Sequence, residues 1–496
     1  MEIGEISFNA LLPIIGFVIT TCVVTLVRSL NHKNTYLHRI CGVELTILAA
    51  LFAIFIEVVR WIQFDNGNLT DEDMTTFNAM LAPDRLSAIS IVVISAITIV
   101  AALVANSYLE KRQDIPAAEF FILLQCAVIG MFAFVMANDL LAMFVALEVF
   151  SIPLYVLTAF DRRRLRSLEG GFKYFILGAV SSAIFLYGIA LHYGVSGSTA
   201  LGPSTQEGTI AAVASVLILV GLLFKVAAVP FHFWSPDAYQ GAPTPVTLFM
   251  AAATKLSAFI VLVRLVAGGV IDVSATGGSG RAVLTIVCVA SALFGATVAL
   301  RQANIKRAIA YSSISHTAYI LLALKAGTQE SLQAVVTYVV IYAFIVAGTF
   351  AILGVVAGAE ERNDSMASIK GLAKTNPYLA GSLTLLLFAQ AGMPLTSGFI
   401  AKFDVFRVAF QEKFYFSGVI VLISTVIAGA LYLKIVLALY ADSFDHEDHE
   451  VPNGSLKTRT DFKVTTSVAV AIAICVVVTF LVGVYPSFVT AFTHVL

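Results

Sequence analysis

Four charged side chains stand inside otherwise apolar stretches: Glu148 in LLAMFVALEVFSIPLYVL, Lys225 in VGLLFKVAAVP, Lys255 in FMAAATKLSAFIVL and Lys402 in MPLTSGFIAKFDVF. A charge at the middle of a bilayer costs about 2.5–3.5 kcal/mol on insertion scales, so a functional reading is the default for it. Glutamate and lysine in a dry setting suit proton chemistry. Burial weakens a lysine's hold on its proton, and a nearby carboxylate strengthens it again. A Glu148–Lys225 pair whose separation changes would therefore bind and release a proton, with no metal and no covalent step. Three of the four have a plainer alternative. Glu148 can pair a base only to hold two helices together. Lys255 and Lys402 can snorkel to an interface, which suits Lys402, near the end of its run, better than Lys255, deep within its own.

A spacing rule accompanies the charges. Glu148 precedes Pro153 by five residues, and Lys225 precedes Pro230 by five. A proline deprives the carbonyl four residues earlier of its helical donor. Pro153, Pro230 and Pro394 are therefore expected to break helices and to free the carbonyls of Val149, Val226 and Gln390. Freed carbonyls in an apolar bundle attract water or protonated donors. A second group of candidates includes Lys173, near a helix start, and His232 and His316, which titrate near neutrality when unperturbed. Ser312, Ser313, Ser315 and Thr317 surround His316 with hydroxyls fit to carry a water wire. Lys434 would extend the line toward the outer side. The stretch DSFDHEDHE (442–450) reads as a solvated acidic loop in preference to a metal site.

The elements that must position these groups follow from composition. Of 496 residues, 59% are hydrophobic and 12% charged, against about 25% charge in an ordinary soluble domain. The expected fold is an all-α polytopic membrane protein. Runs of about 20 apolar residues fall near 10–28, 40–60, 87–108, 117–137, 139–160, 169–194, 210–230, 245–265, 281–300, 306–324, 331–357, 378–400, 415–440 and 464–490, which predicts fourteen transmembrane helices. Basic residues collect in alternate loops, such as Arg162, Arg163, Arg164 and Arg166, or Arg301, Lys306 and Arg307. By the positive-inside rule those loops face the cytoplasm and both termini face the other side. No loop is long enough for a soluble domain. The five cysteines are scattered singly, which leaves no ligand pattern for iron–sulfur, zinc or c-type haem sites. No dinucleotide or phosphate-binding glycine motif occurs, and the N-terminus does not read as a signal peptide.

LLFKVAAVP (222–230) and LLFAQAGMP (386–394) match at Leu-Leu-Phe and at the proline. They lie in the seventh and twelfth runs. Five runs apart, the two would enter the membrane from opposite sides, the signature of inverted-topology repeats. The chain then divides into flanking helices 1–3 (1–116), a first five-helix repeat (117–265), a second (281–440) and a last helix (464–496), with helices 7 and 12 broken.

The segments GLLFKVAAVPFHFWSPDAYQGAPTPVTLFMAAATKLSAF, ANIKRAIAYSSISHTAY and GMPLTSGFIAKF, with LEVFSIPLYVL and SLEGGFKYFILGA in order before them, resemble the N-type antiporter-like subunits of the proton-pumping NADH:quinone oxidoreductase, respiratory complex I. The likeness runs from about 80 to about 445. It implies fourteen helices in two inverted repeats and proton-translocation roles for Glu148, Lys225, Lys255 and Lys402. Lysine at 402, where M-type subunits usually carry glutamate, favours the N type, as does a chain that stops at Leu496 without an L-type lateral helix. The resemblance implies no cofactor or metal on this chain, with NAD, FMN, iron–sulfur clusters and quinone on partner subunits, M-type and K-type neighbours, the bilayer of the inner (cytoplasmic) membrane and no nucleic acid. A proton would enter near Lys255, pass through Lys225 and leave through Lys402. The competing expectations are an Mrp-type cation/proton antiporter subunit and the pump module of a related hydrogenase- or ferredoxin-linked complex.

Overall fold

A computed structural model describes residues 7–31, 34–67, 76–77, 79–202, 208–274, 278–361, 363–441 and 464–487. The acidic stretch 442–450 and residues 68–75 and 78 of the acidic loop 65–84 lie outside that set. Among the described residues eleven helices are long and apolar enough to cross a bilayer. They are α1 (Phe8–Leu30), α2 (Thr35–Asp65), α3 (Arg85–Lys111), α4 (Ala117–Met136), α5 (Leu140–Thr158), α6 (Leu165–Ser196), the joined pair α9–α10 (Thr244–Ala267), α11 (Ser279–Leu300), α13 (Gln329–Ala357), α17 (Tyr415–Tyr440) and α18 (Thr466–Val484). The pair α9–α10 runs through a π-helical turn at Met250–Thr254, with α10 starting at Lys255.

The remaining apolar runs form less regular elements. α7 (Thr209–Lys225) stops short and is followed by the short α8 (Trp234–Gly241). α12 (Ile305–Leu324) is lowered in hydropathy by its Ser-Ser-Ile-Ser-His-Thr run. α15 (Pro377–Ala391), preceded by the single turn α14 (Leu372–Thr375), is followed by α16 (Ser397–Gln411). With α7, α12 and α15 added to the eleven, the fourteen expected spans are all present.

Two boundaries differ from the sequence reading. The twelfth run, expected over 378–400, ends at Ala391, and its second half continues to Gln411. Lys402, Asp404 and Arg407 made that half look polar. Pro153 does not break its helix: α5 runs unbroken from Leu140 to Thr158 around it. One lost backbone bond is tolerated where packing holds both sides, and Ser151 Oγ donates to the Leu147 carbonyl in the turn before the proline.

Short polar residues start the helices. The Asp84 carboxylate accepts from Ser87 N, Asp139 from Leu141 N and Ala142 N, Asn304 from Arg307 N and Asn376 from Leu379 N. Each satisfies amide groups that the first turn leaves open. At Asn138-Asp139 this cap is enough to turn the chain directly from α4 into α5.

The most enclosed helices are α9–α10 and α13, and the lipid-facing ones include α1, α2, α6, α11 and α17. Outward residues of the latter are large and apolar, as with Phe55, Val180, Ile286 and Val426. Most charged contacts gather at the two ends of the bundle. At the end carrying the basic loops, Arg112 Nη1 donates to Asp161 Oδ2 at 2.9 Å and Arg112 Nε to Asp114 Oδ1 at 2.9 Å. Arg112 also reaches the Ala359 carbonyl at 3.2 Å, which ties the first third of the chain to the last. This guanidinium holds the Asp114 carboxyl below the usual carboxylate range. At the opposite end Arg264 bonds Asp84 at 2.5 Å and the Val135 carbonyl at 2.7 Å.

Close approach at the α15–α16 break requires glycine. A Cβ on Gly398 would lie 1.7 Å from the Ala389 carbonyl oxygen. Gly398→Ala is therefore expected to displace α16 from α15, lower the yield of folded protein and lower Tm in detergent. Asp161→Ala removes one half of a buried pair, at about 3–5 kcal/mol. A clear fall in Tm by thermal denaturation is expected, and an unchanged Tm would refute the tie between Arg112 and Asp161.

Candidate functional site

The seventh span ends where its charge is. Val226 N donates to the Leu222 carbonyl, Ala227 N to Phe224 and Ala228 N to Leu223, with Ala227 at φ +56°. Beyond this point the backbone is irregular up to α8. Its groups are nonetheless bonded. The Val226 carbonyl, freed as Pro230 predicted, accepts from Thr317 Oγ1 at 2.7 Å. The Phe224 carbonyl accepts from Trp234 Nε1 at 2.9 Å, and Val229 N donates to Ser291 Oγ at 2.8 Å. Irregular backbone at membrane depth persists only where protein or a wet cavity satisfies it.

Lys225 is buried and points at α5. Its Nζ donates to Ser151 Oγ at 2.7 Å and lies 3.4 Å from the Tyr155 hydroxyl. It also sits 5.3 Å from the ring centre of Phe150, 5.2 Å from that of Tyr155 and 5.4 Å from that of Tyr174. An aromatic box of this kind steadies a cation through the ring quadrupoles. Glu148 is not its ion-pair partner. Among the described residues Glu148, half-buried, accepts a hydrogen bond from Ser182 Oγ on α6. Ser151 and Tyr155 follow Glu148 along one side of α5, so Lys225 sits about one turn, roughly 5.4 Å, along the helix from the glutamate's level.

Lys255 opens α10 directly after the π turn. Its Nζ donates to the Ser313 carbonyl at 2.7 Å, Ser313 Oγ at 2.6 Å and Thr317 Oγ1 at 2.9 Å, all on α12. Thr317 is thus shared: it accepts from Lys255 and donates to the broken-helix carbonyl beside Lys225. The Tyr342 hydroxyl donates to Ser313 Oγ at 2.8 Å, and its ring lies 4.8 Å from that of His316. Thr317 thus links Lys255 to the backbone next to Lys225, and the Tyr342 ring, bonded to the Ser313 that holds Lys255, lies against His316.

The second break works differently in detail. α15 ends with Gly392 in the left-handed region, φ +81°, and Met393 N returns to the Phe388 carbonyl at 3.1 Å. A glycine cap stops the helix before Pro394 is reached. The Gln390 carbonyl is open as expected, and Lys402 Nζ donates to it at 2.8 Å and to the Ala391 carbonyl at 2.9 Å. Lys402 is not snorkelling. It reaches back across the break, 4.8 Å over the Tyr319 ring, into a narrow cavity shared with His316, Tyr338 and Tyr342.

The second group divides. His316 is central: its Nδ1 hydrogen-bonds with the Tyr338 hydroxyl at 2.8 Å and its Nε2 with that of Tyr432 at 3.0 Å. Lys173 is half-exposed at the basic end, bonded to Glu169 at 2.5 Å and Asp237 at 2.7 Å. It lines an open cavity with Asp237, Arg307 and Tyr311. His232 is buried beyond the cavity wall, its ring 6.5 Å from that of Tyr311, and its Nδ1 has no protein partner. Lys434 does not extend the line outward. It is exposed on α17 and donates to the Leu300 carbonyl at 3.3 Å, at the end carrying Arg301 and Lys306.

Sequence reasoning missed the partners. Ser151, Tyr155 and Ser182 look like ordinary helix residues, although Ser151 and Tyr155 follow Glu148 at helical spacing. The Asp237–Arg307 pair and the buried Lys306–Glu361 pair, which Thr244 joins by donating to Glu361 at 2.9 Å, were also missed. Of these last residues only Glu361 lies in a loop; the others sit at or near helix starts, where they looked merely polar.

Residues 137–428 match the family described as NADH:quinone oxidoreductase/Mrp antiporter, TM. The chain is 36% identical over 389 residues to the NADH-quinone oxidoreductase subunit N of Paramagnetospirillum magneticum, covering 76% of this chain and 79% of that one. It is 38% identical over 431 residues to the subunit N of Mycobacterium bovis, covering 83% and 78%. Among solved structures it superposes on a chain of respiratory complex I from Thermus thermophilus with TM-score 0.77 and 29% identity, over 97% of this chain and 98% of that chain. A chain of the Mrp complex from Dietzia sp. shares the fold with TM-score 0.82 at 20% identity, over 99% and 97%. The chain belongs to the NADH:quinone oxidoreductase/Mrp antiporter family of membrane subunits, and within it to the subunit N type.

Proposed function

We propose that this chain is a proton-translocating membrane-arm subunit of an NADH:quinone oxidoreductase. The observation that carries the reading is the bridge through Thr317, which joins buried Lys255 to the carbonyl freed beside buried Lys225. Each lysine is held by hydroxyls and carbonyls, with no carboxylate on its ammonium among the described residues. Neutral partners let a lysine lose and regain a proton without leaving a bare carboxylate behind.

In this reading the basic end faces the cytoplasm, both termini lie on the outer side, and 117–265 and 281–440 form two inverted repeats, each with a broken helix. Protons enter at the open cavity of Lys173, Asp237 and Arg307, pass Tyr311 and His232, and reach the line Lys225, Lys255, His316 and Lys402. Glu148 is the switch. In the described state Ser182 holds the carboxylate and Ser151 holds Lys225. A shift of about one helical turn along α5 brings the two charges together, which raises the proton affinity of Lys225. Quinone reduction elsewhere in the complex drives that shift. This chain has no redox role in the scheme, with NAD, FMN, iron–sulfur clusters and quinone held by other subunits and M-type and K-type subunits as its neighbours. The Mrp-type reading asks for a sodium site with several oxygen ligands, and Glu148 is met by one hydroxyl.

The first test is quinone-coupled proton uptake in membrane vesicles that hold the whole complex. Lys225→Ala is expected to abolish the share of pumping that passes through this subunit, and wild-type pumping by that variant would sink the proposal. Thr317→Val keeps the shape and deletes the bridging hydroxyl. Loss of one buried hydrogen bond costs about 1–3 kcal/mol, so proton transfer through this subunit should slow by about tenfold while the complex still assembles. Replacing external sodium by choline should leave pumping unchanged, whereas a sodium requirement would favour the antiporter alternative.

A further inference from the structure

α12 and α17 face each other along a polar edge that meets the proton line above at His316 and continues beyond it. At one end the Tyr432 hydroxyl of α17 meets both Ser312 and His316 of α12. At the other end Lys325 Nζ, just past α12, donates to Ser417 Oγ of α17 at 2.5 Å. Numbers rise along one helix as they fall along the other, so the pair is antiparallel and in register over its whole length. Ser417, Ser424 and Tyr432 share one buried side of α17. Tyr319 lies between His316 and Lys325 on α12. Its hydroxyl lies beside Ser424 and Thr425, and its ring carries Lys402 Nζ at 4.8 Å.

Two observations at this edge point to a wet path. The Tyr319 hydroxyl and Ser424 Oγ are buried, at 1% and 0% exposure, and lie beside each other with no hydrogen bond of good geometry closed between them. Buried hydroxyls in that condition are sites for bound water. Lys325 is itself 2% exposed, and its ammonium bonds a serine with no carboxylate on it among the described residues. Its Nζ lies 4.1 Å from the centre of the Phe414 ring, whose other visitor is the Arg281 guanidinium at 5.1 Å. Burying a lone ammonium there has a cost that packing alone does not explain.

We propose that Lys325 is the outward terminus of the proton path, reached from Lys402 past Tyr319, Ser424 and Ser417 along the facing edges of α12 and α17. This rests on the proton-translocating reading and adds to it an exit and a residue outside the four-charge line. Successive polar levels on α17 are about 10–12 Å apart, so water carries the proton between them. The transfer at Lys325 balances simply. Its neutral amine takes a proton from a water on the Ser417 side, and the ammonium gives one to water at the rim beside Phe414.

The plain alternative is that Lys325 only caps the carbonyl end of α12, where a cation is favourable. The test uses the whole complex in vesicles, comparing Lys325→Met, Lys325→Arg and Lys402→Ala for protons moved per NADH oxidised. Ser424→Cys is separately exposed to 2-aminoethyl methanethiosulfonate from the outer side, with the parent complex as background. The expected result is a lowered proton yield in both Lys325→Met and Lys325→Arg, because a guanidinium keeps its proton, with labelling of Ser424→Cys. Full recovery in Lys325→Arg would match a cap alone and overturn the exit. A cap alone would leave Ser424→Cys unlabelled, and that result overturns the exit even if Lys325→Met assembles poorly. Wild-type yield in Lys325→Met beside a defective Lys402→Ala also overturns the exit alone. Wild-type yield in Lys402→Ala overturns the underlying reading and the exit with it.

Discussion

Every backbone amide and carbonyl inside this bundle must find a partner that is not bulk water, and the two helix breaks are built around that demand. Where α7 stops, the Val226 and Phe224 carbonyls are met by Thr317 and Trp234, and Val229 N by Ser291. Where α15 stops, the Gln390 and Ala391 carbonyls are met by the ammonium of Lys402. An unsatisfied group at this depth costs several kcal/mol. The partners therefore hold the irregular backbone in place, and the same irregular backbone gives buried lysines polar company. In the proposed mechanism, stability and proton handling use one set of contacts.

The second break shows how directly the two are joined. Lys402 is at once a candidate proton carrier and the donor that satisfies the end of α15. When it is neutral its amine still offers two hydrogens, so the carbonyls keep their partners through a cycle. Lys225 and Lys255 are supported in a comparable way by Ser151, Ser313 and Thr317. Hydroxyls both donate and accept, and they serve the charged and neutral amine alike. The strong ion pairs lie mainly elsewhere. Arg112 with Asp161, Arg264 with Asp84 and Lys306 with Glu361 anchor the ends of the bundle. There they fix the frame within which the middle can shift.

Much of this was legible in the residues. Fourteen apolar runs and alternating basic loops predict the helices and their order, because bilayer thickness sets a length that hydropathy can read. Pro230 marked the first break and the carbonyl it frees. Pro394 marked the second, although Gly392 is what ends α15. Pro153 misled, since a proline inside a well-packed helix need not stop it. Lys434 misled too: its apolar surroundings read as depth, but it sits at the basic end against the Leu300 carbonyl.

The sequence by itself determined that Lys225, Lys255 and Lys402 stand within or beside apolar runs at cost, because transfer free energy depends on residue type and on the run that contains it. It also marked the two breaks near Pro230 and Pro394, because proline and glycine act on their own turns. Only the tertiary structure decided who meets whom. Glu148 is met by Ser182 and not by Lys225, Thr317 serves both Lys255 and the break, and Lys402 turns back toward α15. Those choices depend on how helices distant in the chain are rotated and set in register, and no local pattern of residue types records that.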